Sequence, residues 1–208
     1  MEIIAHRGFW RKKTDQNTIG AFKLALNNHF GIETDIRDQN GQLVISHDIP
    51  KKKSIKLHEL FKIYSLNSSY CTLALNIKAD GLQKELLKLI KKYHIKNYFI
   101  FDMSIPESIK YSKTPINNYM RLSEYEKDYK NFVFKGLWID QFRSDWISPK
   151  QIKILLKSKI DICLVSSELH QRDQKQLWKM ILRNNIYKYK NFSLCTDFPS
   201  EARKFFDA

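Results

Sequence analysis

Short apolar runs alternate with amphipathic stretches along most of this chain. Glu2-Ile3-Ile4-Ala5 is an apolar run too short for a helix, and it stops at Gly8 as a buried parallel strand does. From the candidate N-caps Asn17 and Thr18, the residues Ile19, Phe22, Ala25, Leu26 and Phe30 recur at helical spacing until Gly31 resets the chain. In Ile32-Glu33-Thr34-Asp35-Ile36 apolar and polar residues alternate, so a strand there points both carboxylates to one face. Asn40-Gly41 is the strongest short turn signal, and Gln42 to Ser46 follows as a further strand ending in His47-Asp48.

The rest of the chain repeats this scheme. Leu57, Leu60, Phe61 and Tyr64 suit a helix, and Tyr70 to Ile77 a buried strand. Leu82, Leu86, Leu87, Leu89 and Ile90 mark an amphipathic helix running to about Tyr93, with lysines on its solvated face. Asn97 to Phe101 is a strand ending in Asp102, Pro106 to Ser112 a short helix, and Asn118 to Arg121 a short strand before the charged segment Glu124 to Lys130. Gly136-Leu137-Trp138-Ile139 is another strand, ending in Asp140, and Ser148-Pro149 opens a helix with Ile152 to Leu156 on its apolar face. Ile160 to Val165 is a strand with Ser166, Ser167, Glu168 and His170 beyond its end; Leu177 to Ile186 is a helix, Phe192 to Cys195 the last strand and Pro199 to Phe206 a closing helix.

Strands near residues 3, 33, 74, 99, 119, 138, 163 and 193, with helices between most of them, predict an α/β fold of the TIM-type (β/α)8 barrel class. A barrel gathers its chemistry at the carboxyl ends of its strands, which is where the polar clusters fall. At 208 residues the chain is slightly small for this fold, so a compact version with shortened or missing helices is expected, as one domain over 1–208. No internal repeat, low-complexity tract or linker interrupts it.

The clusters carry recognisable chemistry. His6 and His47 are able to pass protons near neutral pH, and the like-facing Glu33 and Asp35 invite a hard divalent metal, Mg²⁺ or Ca²⁺. Their structural alternative is a salt bridge to Arg7, Arg37 or Lys78. Arg7 beside His6 supplies a fork matched to phosphate oxygens. Together these residues point to metal-assisted cleavage of a phosphoester. Trp138 and Asp140, at the end of a later strand, are candidates to contact the substrate.

In order along the chain, His6-Arg7-Gly8, Asn17-Thr18 with Ala21-Phe22, Glu33-x-Asp35, Asn40-Gly41 and His47-Asp48 resemble the ordered motif of the glycerophosphodiester phosphodiesterase family, within the phospholipase C-like phosphodiesterases. Asn40-Gly41 stands where the family has Asp-Gly, and Thr196-Asp197-Phe198-Pro199 is similar to its closing Thr-Asp-x-Pro turn. The resemblance is specific over the first quarter of the chain and loose beyond it. It implies a (β/α)8-type barrel, His6 and His47 as general acid and base, Glu33 and Asp35 as metal ligands, and a cyclic phosphate intermediate where the substrate supplies a neighbouring hydroxyl. Arg7 and Lys78 are then expected to bind phosphate oxygens.

One position departs from the family. Where the resemblance implies a third acidic ligand in a Glu-x-Lys pattern, Leu73-Ala74-Leu75-Asn76-Ile77-Lys78 carries Asn76. An amide oxygen still binds Mg²⁺ or Ca²⁺, but a neutral dipole in place of an anion weakens the site. Glu168, beyond a later strand, is a candidate to restore the missing charge as a ligand.

Composition changes the picture modestly. The 36 Lys and Arg against 22 Asp and Glu give a net charge of +14, which favours an anionic partner such as phospholipid headgroups or a phosphorylated polymer. Pro50 and Lys51-Lys52-Lys53 form a solvated connection directly after His47-Asp48, placed to draw in an anion. The charge also leaves a nucleic-acid-binding protein as the weaker competing class, but no RNA or DNA motif accompanies it, so no nucleic-acid partner is expected. Cys71, Cys163 and Cys195 sit in apolar runs without CxxC spacing and read as buried thiols. No stretch approaches the roughly 18 apolar residues of a membrane span, and no leader pattern opens the chain, so a soluble cytoplasmic protein with at most peripheral contact with anionic headgroups is expected. The substrate classes that fit are glycerophosphodiesters, lysophospholipids and phosphodiester-linked surface polysaccharides; the competing function is a non-catalytic barrel that binds phosphorylated ligands.

Overall fold

The computed structural model describes residues 1–51, 54–67 and 70–207; Lys52 and Lys53 of the lysine run lie outside them. In chain order the elements are β1 (Glu2–Ala5), α1 (Ile19–Asn27), β2 (Gly31–Gln39), β3 (Gln42–Ile45), β4 (Ile55–Lys56), α2 (Leu57–Asn67), β5 (Leu73–Ile77), α3 (Gln83–Lys92), β6 (Tyr98–Phe101), α4 (Ile105–Tyr111), β7 (Tyr119–Leu122), β8 (Gly136–Ile139), α5 (Pro149–Lys157), β9 (Asp161–Val165), α6 (Lys175–Arg183), β10 (Phe192–Thr196) and α7 (Pro199–Asp207). They fall into two compact units, Ala5–Asn118 and Tyr119–Ala208 with Met1–Ile4.

In the Ala5–Asn118 unit β2 is central. It pairs parallel with β5, Asp35 opposite Asn76, and β5 pairs parallel with β6. On its other edge β2 runs antiparallel to β3 through the Asn40-Gly41 turn, both of whose residues have positive φ, as a two-residue hairpin demands. Thr18 is the cap of α1, accepting a hydrogen bond from the Ala21 amide at 3.2 Å, while Asn17 takes a left-handed backbone and a different role. Phe22, Phe30, Ile32, Leu57, Phe61 and Leu73 are fully buried and form the apolar body of this unit. Tyr70 is exposed, so the strand begins at Leu73 rather than at Tyr70.

The other unit is a parallel ladder, β7 to β8 to β9 to β10, in register from Tyr119 opposite Gly136 to Cys195 opposite Val165. Strands buried on both faces carry the near-continuous apolar sequence that parallel sheets require. Helices α5, α6 and α7 follow β8, β9 and β10, and α5 opens with the Ser148 capping box, its hydroxyl accepting from the Gln151 amide at 3.2 Å. Between β7 and β8 residues 123–135 hold no helix, which is one of the omissions the chain length led us to expect. There Glu124 takes its place by accepting the amides of Phe142, Arg143 and Ser144 at 3.0–3.1 Å.

All three cysteines are buried thiols. No helix among the described residues is long and apolar enough to cross a membrane.

Candidate active site

The site belongs to the Ala5–Asn118 unit and starts at the turn after β1. Arg7 and Gly8 both have positive φ, and a Cβ on Gly8 would sit 2.9 Å from the Ala21 side chain and 3.0 Å from the Ala21 carbonyl carbon, so only glycine fits against α1. This turn presents the Arg7 amide to Glu33 Oε2 at 3.1 Å and leaves His6 Nε2 3.8 Å from the same oxygen. The Trp10 indole fixes the turn from outside by donating to the His6 carbonyl at 2.9 Å.

Glu33 and Asp35 lie two residues apart on one face of β2, 2 % and 1 % exposed. Asp35 Oδ2 accepts from Asn17 Nδ2 at 2.9 Å and faces Arg7 Nε at 3.3 Å, in an ion pair off the line of a hydrogen bond. Its other oxygen is 3.8 Å from the Lys78 ammonium, which Asp102 holds more closely at 3.0 Å. The salt-bridge alternative is therefore realised at Asp35 through Arg7 and Lys78, but not through Arg37, which donates to the His47 carbonyl. Glu33 is less compensated. Burial, and then the charge of Asp35, raise its pKa to about 7 against the opposing pull of His6 and Arg7.

Asn76 stands alongside Asp35 on β5, 8 % exposed, and its buried Oδ1 has no hydrogen-bond partner. Such an orphan costs about 1–3 kcal/mol and asks for a ligand or a functional explanation. Among the described residues no three His, Cys, Asp or Glu side chains gather as a metal-binding group. The third oxygen available to a cation here would be the Asn76 amide oxygen. A buried glutamate whose ionisation is opposed by burial and by the aspartate beside it, that aspartate, and an amide oxygen lacking a donor are the donor set a hard divalent cation takes, so the residues fit Mg²⁺ or Ca²⁺.

His47 follows β3, and its side chain is 47 % exposed. Its Nδ1 lies 2.9 Å from Asp48 Oδ1, and this contact is the main cause holding the Asp48 carboxyl below its ordinary pKa. His47 lines a cleft of about 480 Å³ together with Arg7, Asn17 and Ser46. Arg7 thus joins the carboxylate pair to the cleft. Asn17 was missed by sequence reading as a site residue: its amide bridges Asp35 and the Thr34 hydroxyl, which donates to Asn17 Oδ1 at 2.7 Å.

Trp138, Asp140 and Glu168 belong to the other unit, each at a strand's carboxyl end or beyond it, in a network of their own. Asp140 Oδ1 lies 2.5 Å from His170 Nε2, and its other oxygen accepts from the Trp138 indole at 3.4 Å. Glu168 accepts the hydroxyls of Ser166 and Thr196 and the Asp197 amide, so its carboxylate joins the ends of β9 and β10.

No protein-family model and no curated protein matches this sequence. Solved structures do resemble the fold. A putative glycerophosphodiester phosphodiesterase from Galdieria sulphuraria superposes with a TM-score of 0.78 at 17 % identity, covering 100 % of this chain and 98 % of that one. A glycerophosphoryl diester phosphodiesterase from Parabacteroides distasonis gives 0.70 at 14 % identity over 99 % and 86 %. The glycerophosphodiester phosphodiesterase from Agrobacterium tumefaciens gives 0.66 at 15 % identity over 100 % and 99 %. The fold class is thereby fixed as the TIM-type α/β barrel, and its structural neighbours are of the family that the His6 to Asp48 motif resembles.

Proposed function

We propose that this protein is a metal-assisted phosphodiester hydrolase of the glycerophosphodiester phosphodiesterase type. The observation that carries the reading is the buried pair Glu33 and Asp35, with the orphaned Asn76 oxygen alongside, tied through Arg7 to an open cleft that holds His47. Glu33, Asp35 and Asn76 would hold the divalent cation, which when bound polarises a phosphoryl oxygen. Arg7 and Lys78 bind the remaining phosphate oxygens and stabilise charge that develops on them. A water, or a neighbouring hydroxyl of the substrate, attacks phosphorus and gives its proton to one histidine as the new P–O bond forms. The other histidine protonates the leaving alcohol as its P–O bond breaks. His6 and His47 fill these roles, with Asp48 orienting His47. Glu168 is assigned to structure, because three donors already occupy its carboxylate.

Asn76 in place of an acid favours one second reading, a barrel that binds phosphorylated ligands without turnover. Hydrolysis of bis-p-nitrophenyl phosphate and of glycerophosphodiesters by wild type and His6→Ala, in Mg²⁺, Ca²⁺ and EDTA, separates the two. Metal-dependent turnover that falls about 10²–10⁴-fold in His6→Ala is expected for the enzyme. Phosphate-ester binding with no turnover in any metal contradicts it and leaves the binder.

A further inference from the structure

The cleft beside His47 has a composition that the hydrolytic reaction alone does not require. Besides Arg7, Asn17, Ser46 and His47 it is lined by Lys13, Gln16, Asp48, Ile49, Lys51 and Ser54, with Ile45 and Ile55. Arg7 is engaged by Asp35 and Gln16, and the one acid of the lining, Asp48, is engaged by His47. The Lys13 and Lys51 ammonium groups have no acidic partner among the described residues. Lys13 and Lys51 are both exposed, but Lys51 sits on an anchored stretch of chain. Its backbone is held by the Ser54 hydroxyl, which accepts from the Lys51 amide at 3.1 Å and donates to the Lys51 carbonyl at 2.9 Å, and by Gln39, which donates to that carbonyl at 3.2 Å. Two lysines without an acidic partner among the described residues therefore border a cleft that starts at Arg7 and His47.

We propose that this cleft binds a second phosphate of the substrate, so that the diester cleaved is one link of a short poly(alcohol phosphate) and not an isolated diester with a neutral or cationic headgroup. The proposal rests on the phosphodiesterase reading and names its substrate class. A cationic headgroup is selected by aromatic walls or acids; the lining has no aromatic side chain, and its acid is paired. The missing aromatics also argue against nucleic acid, whose unpaired bases need stacking surfaces. At about 480 Å³ the cleft has the size of a small-molecule site. Its hydroxyl and amide groups at Ser46, Ser54 and Gln16 suit the alcohol units between phosphates.

The test compares a glycerol phosphate trimer with glycerophosphocholine and bis-p-nitrophenyl phosphate, using wild type and the Lys13→Ala/Lys51→Ala double variant. Neither lysine is part of the catalytic machinery. The double variant is expected to raise KM for the trimer about tenfold or more with kcat unchanged, to leave both single diesters within about twofold, and to abolish a salt sensitivity seen with the trimer alone. Equal effects on all three substrates, or none on the trimer, overturn the proposal. A second arm measures calorimetric binding of the trimer to His6→Ala with and without the lysine substitutions. About tenfold weaker binding there upholds the anion site even if wild type hydrolyses nothing, in which case the phosphodiesterase reading alone fails. Single-stranded oligouridylate of equal charge binding as tightly as the trimer overturns the assignment to an alcohol phosphate.

Discussion

Glu33 and Glu107 are carboxylates of one type, 2 % and 1 % exposed within one unit of the molecule, yet their environments are opposite. Glu107, on α4, accepts hydrogen bonds from the Gly81 amide at 2.8 Å, the Gln83 amide at 2.5 Å and the Lys110 ammonium at 2.6 Å. Burial pushes its pKa up, but these donors outweigh that and leave it below the ordinary value. They also tie α4 to the start of α3, which has no side-chain cap of its own. Glu33 has one amide donor, a histidine at 3.8 Å and a second carboxylate as neighbour, and its pKa rises to about 7. Glu107 is supplied with the donors an acid serving the fold needs, whereas Glu33 is left short of them, which is the basis for proposing that it takes a ligand.

The contrast is sharpest in what neutralising each acid does. Glu33→Gln is expected to weaken the divalent-cation site and lower turnover sharply, because a neutral amide replaces one of its two carboxylates. In the metal-free protein the same change stabilises. With its folded pKa raised above the unfolded 4.5 to about 7, Glu33 makes the native state bind more protons than the unfolded state across that window, so stability falls as pH rises through it. Urea unfolding in EDTA should therefore find Glu33→Gln more stable by on the order of 3 kcal/mol at pH 8, with the gain gone by about pH 4. Glu107→Gln should do the reverse, losing roughly 1–3 kcal/mol at pH 7 and sparing turnover. Its depressed pKa places that contribution above the unfolded 4.5 and removes it as pH falls through the folded value. Lys110 is 64 % exposed, so its share is small and screened by salt. A smaller effect separates two candidate ligands. Asn76→Asp is expected to raise Ca²⁺ or Mg²⁺ affinity about tenfold by calorimetry, while Glu168→Gln leaves it within about twofold.

Much of this contrast was legible in the sequence on the Glu33 side only. The two-residue spacing of Glu33 and Asp35 within an alternating run fixes their common face, and the Asn40-Gly41 turn fixes the strand that delivers His47. The parallel strands were legible because each is an apolar run bounded by turn residues. Asn17 read as a helix cap since capping is a local signal, whereas its bridge to Asp35 spans 18 residues and depends on a left-handed backbone. Glu107 gave no signal at all: it looks like an ordinary acid in the first turn of a short helix, and its burial is set by Gly81 and Gln83, more than 20 residues away. The helix read over Leu177 to Ile186 ends at Arg183, where Asn184 and a left-handed Asn185 break it before a single 3₁₀ turn.

The central claim is that Glu33 and Asp35 are held apart from ordinary structural acids in order to take a divalent cation. Carboxyl-carbon NMR of Glu33 across pH 4–9, in EDTA and then in saturating Ca²⁺ or Mg²⁺, tests it most directly. The account predicts a midpoint near 7 without metal, moving below the ordinary glutamate value when the cation is present, because a neighbouring positive charge favours the ionised form. A midpoint that stays in place in saturating metal would contradict it.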